Sequence, residues 1–301
     1  MNLILRKLNN GISYIKRIFS VISSGFKAYF PDELDLPLTI PKSLRSLGTN
    51  ETYFKDRFKK EVLLRNISKS ILKNSKNGSL IIDIGAFIGD NSLVWAKMLD
   101  RRDFKVLAID PSSKNISWIK KMAFINKIKN IIAINAICSD SEKNNFKLSK
   151  GSLQHGSFSR ERNGLGGFKS KTLDTITQSI NGVSKVCLIH LDVEGMELLV
   201  LRGSKKIIKS SRPFILFEGH IKSEYKMLKK IKDLLFAYEY QIFMINELLP
   251  GCELDCRNFL AVPNNFEIKK IQSQIKINNN SKDFYIPCMP INKTLIELKT
   301  Y

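Results

Sequence analysis

The sequence predicts an α/β fold, with an open and mostly parallel sheet that carries helices on both faces. In the stretch IIDIGAFIGDNSLVWAKM, residues 81–98, a short apolar run ends in Asp83 and a helical pattern follows Gly89. In the segment 185–220, two apolar runs flank a stretch with helical periodicity. Alternation of buried strands with amphipathic helices is typical of parallel sheets whose strands are joined by crossover helices.

The turn from Asp83 to Gly89 is predicted to hold an adenosine-bearing ligand against the main chain, through Gly85, Ala86 and Gly89. Gly85 permits a positive φ or a close backbone approach, and Gly89 removes a side chain where the helix begins. The turn lacks the third glycine of G-x-G-x-x-G, the pattern that binds a dinucleotide pyrophosphate. Asp83 instead suits the ammonium of an amino-acid moiety, as in S-adenosylmethionine. A purely structural turn is the alternative.

The next two predicted strands also end in polar residues. Residues 104–110 end in Asp110, about 21 residues beyond Gly89, an offset at which an acidic residue binds ribose hydroxyls. The alternative is that Asp110 caps the helix that follows, with Pro111 in its first turn. The third strand, residues 130–138, precedes two residues that either meet the adenine or form a plain turn, Ser139 and Asp140.

A chain of 301 residues is long enough for one good core, so we expect one main domain with extensions. We assign residues 1–50 to a basic amphipathic helix and a proline-containing linker, 51–263 to the main domain and 264–301 to a C-terminal extension. No apolar run is long enough to span a bilayer, so an integral membrane protein is not expected.

The first thirty residues carry apolar side chains every three or four positions, with lysines and arginines between them. This pattern predicts a basic amphipathic helix over residues 1–30, which either docks on the core of the chain or touches an anionic membrane surface. Lys16 and Arg17 interrupt what would be the apolar centre of a signal peptide, so we expect a cytoplasmic location. Pro31, Pro37 and Pro41 are expected to end the helix.

The formal net charge of +21 raises the possibility of nucleic-acid binding. The excess is mostly lysine spread along an Asn- and Ile-rich chain, however, and such a bias also follows from an A+T-rich coding background that requires no partner. The cysteines are scattered without C-x-x-C spacing, which favours reduced thiols and indicates neither a zinc site nor a disulfide framework. They are Cys138, Cys187, Cys252, Cys256 and Cys288.

Two acidic residues follow the apolar runs of the second half, Asp192 after one and Glu218 at the end of the next. With Asp83 and Asp110, they place an acidic residue at each of four predicted strand ends. Ligands of open parallel sheets bind outside the carboxyl ends of the strands, so these residues are candidates for one site.

Six segments, in order, are IIDIGAFIGDNS, LAIDPSS, TLDTI, IHLDVEGMELLVLRG, RPFILFEGH and RNFLAVP. Together they resemble the FkbM-type S-adenosylmethionine-dependent methyltransferases over roughly residues 78–263. The element D-V-E-G-x-E followed by R-P-x-x-x-x-E is the specific part of the resemblance. It implies a class I methyltransferase (Rossmann-like) sheet of seven strands with helices on both faces, and methylation of hydroxyl oxygens of sugars, polysaccharides or secondary metabolites.

Two positions depart from the pattern of that family. Phe87 stands where the family commonly has Asn, which removes one polar contact to cofactor or substrate. His190 stands where the family commonly has Lys, two residues before the D-V-E-G aspartate. Because histidine titrates near neutrality whereas lysine is a fixed charge, the pH dependence is expected to differ from that of a typical member.

Methyl transfer to oxygen needs alignment and an acceptor for the hydroxyl proton. Our candidate bases are His190, Asp192, Glu218 and His220. Alternation along the strand puts His190 and Asp192 on one side, where the carboxylate can orient the imidazole; a buried structural histidine is the alternative. A further hypothesis makes Asp192 and Glu218 ligands of a divalent cation such as Mg²⁺, although Asp192 also suits a cofactor contact.

Residues 150–171 show no periodicity and are expected to form a lid or a substrate-binding loop, with plain disorder as the alternative. The loop offers His155, Arg160 and Arg162 to an anionic sugar or phosphate.

The leading hypothesis is an S-adenosylmethionine-dependent O-methyltransferase acting on a hydroxyl of a sugar, polysaccharide or glycolipid, or related small molecule. The alternatives are a nucleic-acid 2′-O-methyltransferase, motivated by charge, and a non-catalytic scaffold that binds the cofactor.

Overall fold

The computed structural model describes residues 26–28, 38–40, 61–99, 103–142, 145–151, 156–160, 168–180, 185–249, 252, 255–275, 286–289 and 293–298. Its strands are β1 (Phe26–Ala28), β2 (Leu38–Ile40), β3 (Ser79–Ile84), β4 (Lys105–Asp110), β5 (Ile131–Asn135), β6 (Ile137–Cys138), β7 (Asn145–Gly151), β8 (Gly156–Arg160), β9 (Phe168–Lys171), β10 (Lys185–Leu191), β11 (Phe214–His220), β12 (Tyr240–Ile245), β13 (Cys256–Pro263) and β14 (Leu295–Leu298). Its helices are α1 (Val62–Lys73), α2 (Ser92–Met98), α3 (Ser113–Ile125), α4 (Leu173–Gln178), α5 (Glu197–Arg202), α6 (Lys205–Ser211), α7 (Tyr225–Ala237) and α8 (Lys269–Gln272).

The central sheet has the strand order β14-β12-β13-β11-β10-β3-β4-β5. The five strands from β11 to β5 run parallel, whereas β13 is antiparallel to both β11 and β12. Strands β3 and β10 lie in the middle of the parallel part, so the turns that follow them meet at one edge of the sheet.

Successive side chains along a strand point to opposite faces of the sheet. Because apolar residues occupy successive positions in these strands, both faces are buried. Ile81 of β3 packs on the face covered by α1, α2 and α3, and its neighbours Leu80 and Ile82 pack on the face covered by α5, α6 and α7. Trp95 anchors α2 in the first core, and Leu201 anchors α5 in the second. The predicted fold class is therefore confirmed, with helices on both faces.

The sheet has eight strands, one more than expected, because the C-terminal extension contributes β14, which pairs antiparallel with β12. Helix α8 of the same extension lies against α1, where the Ser70 hydroxyl donates to the Ile271 carbonyl at 3.3 Å. The described parts of residues 264–301 thus add to the main core.

Residues 130–138 were expected to form one strand and instead form two, β5 and β6. The break falls at Ala136, because its amide turns back to donate to the Asp110 carbonyl at 3.1 Å. Beyond the break, β6 joins a second sheet of order β6-β9-β7-β8. This sheet takes up much of residues 150–171, so the expectation of an irregular loop is wrong for the strands β8 and β9.

The predicted N-terminal helix does not extend to residue 30, because Phe26–Ala28 is a strand that pairs antiparallel with Leu38–Ile40. Pairing supplies these backbone groups with hydrogen bonds. Residues 1–25, 29 and 30 lie outside the described part of the chain. Among the described helices, none has the length and apolar character that crossing a bilayer requires.

Lys226, Lys229 and Lys230 are exposed on α7, whereas Lys232 on the same helix is half-buried. Cys138 and Cys187 are buried in strands β6 and β10.

Gly85 is the position at which we predict the most damaging small substitution. Its φ is 79°, and a Cβ there would lie 1.8 Å from the Asp192 carbonyl oxygen. Gly195 is the matched control, since its φ is 93° but the nearest atom to an added Cβ, Glu224 Oε1, is 3.4 Å away. We expect Gly195→Ala to lower the free energy of unfolding by about 1–2 kcal/mol from backbone strain alone.

Gly85→Ala adds a backbone collision to the same strain, so its loss should be at least about 3 kcal/mol, or the variant should fail to fold. Urea unfolding followed by circular dichroism measures both values. Equal losses in the two variants would show that the close approach of Gly85 to Asp192 does not exist in solution.

Candidate active site

The centre of the candidate site is a buried pair between Asp83 and His190. The two residues are in-register neighbours on β3 and β10, and His190 Nδ1 lies 2.8 Å from Asp83 Oδ1. Asp83 is 1% exposed and His190 is 4% exposed. The second carboxylate oxygen of Asp83 accepts a hydrogen bond from the Ser92 hydroxyl at the start of α2. Asp83 is thus enclosed by protein groups, which disfavours the direct contact with a cofactor ammonium that the sequence suggested.

The pKa of His190 is raised even though the side chain is buried. Burial by itself lowers the pKa, but the hydrogen bond to Asp83 and the negative charges of Asp83, Asp192 and Glu61 outweigh it. The ring of Trp95 packs edge-on against the imidazole, with 5.6 Å between ring centroids. The imidazole is therefore held in place, and the shift of its pKa favours the protonated form, in which His190 carries the same charge as the lysine common at this position in the FkbM-type enzymes.

The expected pairing of His190 with Asp192 is wrong, because the imidazole is oriented by Asp83. Adjacent strands of a sheet lie about 4.8 Å apart, whereas residues two apart on one strand are separated by about 6.6 Å. The carboxylate across the strand boundary is therefore closer than the one further along the same strand. Asp192 acts on His190 through its charge.

Asp192 pairs instead with Glu218 on the neighbouring strand. The register of β10 and β11 matches Leu191 with Phe217, so the next residue along each chain brings Asp192 opposite Glu218. The two side chains are hydrogen-bonded. Burial, the charge of Asp192 and this hydrogen bond together raise the pKa of Glu218 far above that of an ordinary carboxyl. Glu218 therefore keeps its proton at neutral pH and shares it with Asp192.

The turn after β10 is held by groups that sequence inspection did not single out. The Asp192 amide donates to the Ile84 carbonyl at 3.0 Å, and Gly85 leaves room for the Asp192 carbonyl. Glu197 in the first turn of α5 is buried, and its Oε1 accepts hydrogen bonds from the amides of Val193 and Gly195. Burial raises the pKa of Glu197 to about 7. The spacing of Glu197 from a turn containing glycine is the only sequence signal for this role.

A second buried carboxyl, Asp110, lies at the end of β4. Its Oδ2 accepts from the Phe87 amide at 2.9 Å, and its Oδ1 accepts from the Ser112 amide at 2.8 Å and the Asn115 side chain at 3.1 Å. Burial raises the pKa of Asp110 to about 7, against the opposing effect of these hydrogen bonds. The cap of α3 is Ser112, whose hydroxyl accepts from the Asn115 amide, so Asp110 orders both the β3 turn and the start of α3.

The β3 turn has the backbone geometry that the sequence predicted. Residues Gly85, Phe87 and Gly89 all have positive φ, at 79°, 46° and 78°. For Gly89 the added requirement is packing, since a Cβ would meet Leu93 and Ile119 at 3.0–3.1 Å. Ala86 is buried, and its amide donates to the Ile109 carbonyl.

Ser139 and Asp140, the two residues predicted to meet the adenine, differ in their burial. Ser139 is fully buried, and its hydroxyl donates to Asp140 Oδ1 at 3.1 Å. The Ser139 carbonyl oxygen occupies the space that a Cβ atom at Gly203 would need. Ser139 therefore has no open surface for adenine, whereas Asp140 is half-buried and keeps one.

More acidic groups surround the Asp192–Glu218 pair. The charges of Glu61 and Glu194 both act on Glu218. Glu247, which sequence inspection also missed, accepts hydrogen bonds from the amides of Leu63 and Leu64 at the start of α1. A carboxylate at a helix N-terminus satisfies otherwise unpaired amides, which explains why Glu247 is buried there.

The fourth candidate base, His220, belongs to a different cluster. Its Nδ1 lies 3.2 Å from Asp255 Oδ2 and 3.6 Å from Cys256 Sγ. Cys256 forms a disulfide with Cys252, so the expectation that all five cysteines are reduced is wrong for this pair. The close spacing of these two cysteines on one turn brings their side chains together.

Among the residues that the structure describes, no third His, Cys, Asp or Glu lies close enough to Asp192 and Glu218 to complete a metal-binding set. Within the described ranges, the group that places three such ligand atoms within 4.8 Å of one another is His220, Cys252 and Cys256. Of the candidate substrate residues, His155 and Arg162 lie outside the described residues. Arg160 ends β8, in the second sheet.

Comparisons with known proteins agree with this arrangement. A family model described as the methyltransferase FkbM domain matches residues 83–242, which is more than half of the chain. The release factor glutamine methyltransferase of Buchnera aphidicola subsp. Baizongia pistaciae (strain Bp) is 25% identical over 184 residues, covering 61% of this chain. The chain spans 59% of the length of that curated relative.

Two solved structures are similar at low identity. The methyltransferase FkbM from Methylobacillus flagellatus KT is 16% identical, with 62% of this chain and 43% of that chain covered and a TM-score of 0.44. Aeropyrum pernix fibrillarin, solved with natively bound S-adenosyl-L-methionine, is 12% identical, with 62% and 67% covered and a TM-score of 0.40. Both superpositions are loose, so the assignment rests on the family model. By that match, the chain belongs to the FkbM methyltransferase family.

Proposed function

We propose that the protein is an S-adenosylmethionine-dependent O-methyltransferase that methylates a hydroxyl of a sugar, polysaccharide or glycolipid, or of a related small molecule. The observation that carries the proposal is the Asp192–Glu218 pair, which the register of β10 and β11 brings together at the carboxyl edge of the sheet, in the matched family region. Such a pair can accept a proton from a hydroxyl group at neutral pH.

The cofactor side of the site is the turn from Gly85 to Gly89 together with Asp110. The residues present fit the cofactor, because the turn brings the Phe87 amide against Asp110, and a buried carboxyl such as Asp110 gains from hydroxyl donors of a ribose. When bound, S-adenosylmethionine supplies an electrophilic methyl group on a sulfonium. Asp110 would hold the ribose, and Asp140 is the remaining candidate near the adenine.

On the acceptor side, Asp192 is the proposed base. Its carboxylate takes the proton of the acceptor hydroxyl as the oxygen forms its bond to the methyl group. Glu218 is the neutral partner, whose proton fixes the orientation of Asp192. The positive charge of His190 lies behind the pair and favours its ionised form. We therefore assign His190 a positioning role and not that of the base.

The charge of the site favours an acceptor that donates hydrogen bonds. Asp192, Glu194 and Glu61 form an acidic surrounding for Glu218, which suits sugar hydroxyls and opposes a phosphate next to the reacting oxygen. This is the reason for ranking a glycan or small-molecule acceptor above nucleic acid. Contact of residues 1–30 with an anionic membrane, where glycolipids are assembled, remains a prediction.

The first test is calorimetric titration with S-adenosylhomocysteine, with NAD as the control ligand. We expect micromolar binding of S-adenosylhomocysteine and none of NAD. Folded protein that binds neither ligand would remove the basis for the proposal. Transfer of a labelled methyl group to a panel of glycan and glycolipid acceptors, with alkali-stable ether products, then tests the O-directed chemistry.

The affinity for S-adenosylhomocysteine should strengthen as pH rises from 5.5 toward 7.5. Ribose hydroxyls donate more strongly to ionised Asp110 than to its protonated form, and its pKa is raised to about 7, so binding below that pH is coupled to release of a proton. Each unit of pH below 7 therefore weakens binding up to about tenfold. Calorimetry in two buffers of different ionisation enthalpy measures the released proton.

Asp110→Asn is the control for that experiment, since Glu197 titrates in the same range. The variant should bind more weakly and lose the proton release. If it keeps the same pH profile as the parent, another group is responsible for the dependence.

Asp192→Asn and Glu218→Gln should differ in their effect on kcat. Asp192→Asn removes the base and should lower kcat about 100-fold or more. Glu218→Gln replaces a carboxyl that is already protonated with a neutral amide donor of similar shape, so the loss should be about tenfold or less. Affinity for S-adenosylhomocysteine serves as the control in both variants.

The same pair of variants tests the divalent-cation hypothesis. A cation held by Asp192 and Glu218 would displace the shared proton, polarise the acceptor hydroxyl and make both carboxylates equally necessary. Chelation by EDTA should then abolish activity and Mg²⁺ should restore it. If Asp192→Asn lowers kcat more than Glu218→Gln does, and the parent protein keeps full activity in EDTA, the results favour Asp192 as the base.

A further inference from the structure

A side-chain cluster separate from the Asp192–Glu218 pair lies at the end of β11. His220 comes from that strand, Cys256 begins β13 directly opposite it, and Cys252 comes from the preceding turn. Their ligand atoms all lie within 4.8 Å of one another. Asp255 adds a carboxylate to the imidazole at 3.2 Å.

Two distances from His220 match those between ligands of a tetrahedral zinc ion, whereas the two sulfurs are bonded to each other and separate on reduction before both can bind a metal. With Zn–N and Zn–S bonds of about 2.0 and 2.3 Å, nitrogen and sulfur ligands are separated by about 3.5 Å, and nitrogen and oxygen ligands by about 3.3 Å. His220 Nδ1 lies 3.6 Å from Cys256 Sγ and 3.2 Å from Asp255 Oδ2. One imidazole nitrogen therefore faces both a sulfur and an oxygen at ligand-to-ligand distances.

The backbone around the cluster supports the charged form of these ligands. The Cys256 amide donates to Cys252 Sγ at 3.2 Å, a contact that stabilises a thiolate. Asp255 Oδ1 accepts from the Lys222 amide at 2.6 Å, and the Ser223 hydroxyl donates to Oδ2. These bonds hold the Asp255 carboxylate in place beside the imidazole. The site is half-open to solvent at His220 and Cys252, which leaves an entry path for an ion.

We propose that His220, Cys252, Cys256 and Asp255 bind one zinc ion when the two cysteines are reduced. The disulfide is the metal-free, oxidised form of the same site. A dithiol reductant supplies the two electrons that convert the disulfide to two thiols, and is itself oxidised to a disulfide. Zinc then replaces the two thiol protons, which are released to solvent.

Bound zinc would act as a structural clamp beside the acceptor side of the active site. His220 follows Glu218 by two residues on β11, so both side chains lie on the same face of the strand. The ion joins the end of β11 to the turn before β13 and to residues 222 and 223 through Asp255. When the ion is lost and the cysteines are oxidised, the disulfide between Cys252 and Cys256 replaces the link through zinc, and it joins fewer parts of the chain.

The experiment uses the full chain, reduced with a dithiol under anaerobic conditions and then desalted. Zinc is added and the metal retained after gel filtration is measured by mass spectrometry. Cobalt replaces zinc in a parallel sample, because thiolate-to-cobalt charge transfer and tetrahedral d–d bands report the ligand set without activity. The variants are Cys256→Ser, His220→Gln and Asp255→Asn, and Cys288→Ser is the matched cysteine control outside the cluster.

We expect one zinc ion per chain in the reduced parent and in Cys288→Ser, with thiolate bands in the cobalt form. Cys256→Ser and His220→Gln should lose at least 100-fold in zinc affinity, and Asp255→Asn about 10- to 100-fold. The proposal is overturned if the reduced parent retains no zinc, or if cobalt shows no thiolate band. Retention of zinc by Cys256→Ser with unchanged affinity also overturns it. Circular dichroism of each variant separates loss of ligand from loss of fold.

Discussion

The site depends on the placement of one buried carboxylate, Asp83, at the centre of a parallel sheet. An ion in that position loses its hydration, and the loss is tolerated only when a partner of opposite charge and good geometry is present. The register of β3 and β10 supplies His190, and the pair in turn raises the pKa of the imidazole. The same shift couples the protonated imidazole to the charge of Asp192. The acidic pair at the edge of the sheet thus depends on the Asp83–His190 pair.

The cofactor turn and the acceptor turn behave as one unit because they touch through their main chains. The Asp192 carbonyl occupies the space that a side chain at Gly85 would fill, and the Asp192 amide is bonded to Ile84. On one side of this contact lies Asp110 and on the other lies Glu218, both with pKa values raised by burial. A shift of either turn would therefore move the base relative to the cofactor. Backbone contacts, and not long side chains, keep the base and the cofactor turn aligned.

Much of the fold and part of the site follow from the sequence alone. Strand ends are marked by Asp83, Asp110, Asp192 and Glu218, because an apolar run that stops at an acidic residue is a local pattern. The partners of these residues are not local. That His190 meets Asp83 and not Asp192 depends on the register of two strands 107 residues apart in sequence. Glu197 and Glu247 were missed because a buried carboxylate that binds backbone amides has the same sequence context as a solvated one.

The distribution of charge separates the chemistry of the site from the overall composition. The chain carries 49 lysines and arginines against 28 acidic residues, yet the groups that act on Glu218 are acidic. Three of the four lysines of α7 are exposed to solvent. A phosphate-rich acceptor would gain from the basic surface but would meet repulsion at the reacting carbon–oxygen centre. A neutral polyhydroxyl acceptor meets no such conflict, because each hydroxyl can donate to a carboxylate, and the excess of positive charge then needs no role in catalysis.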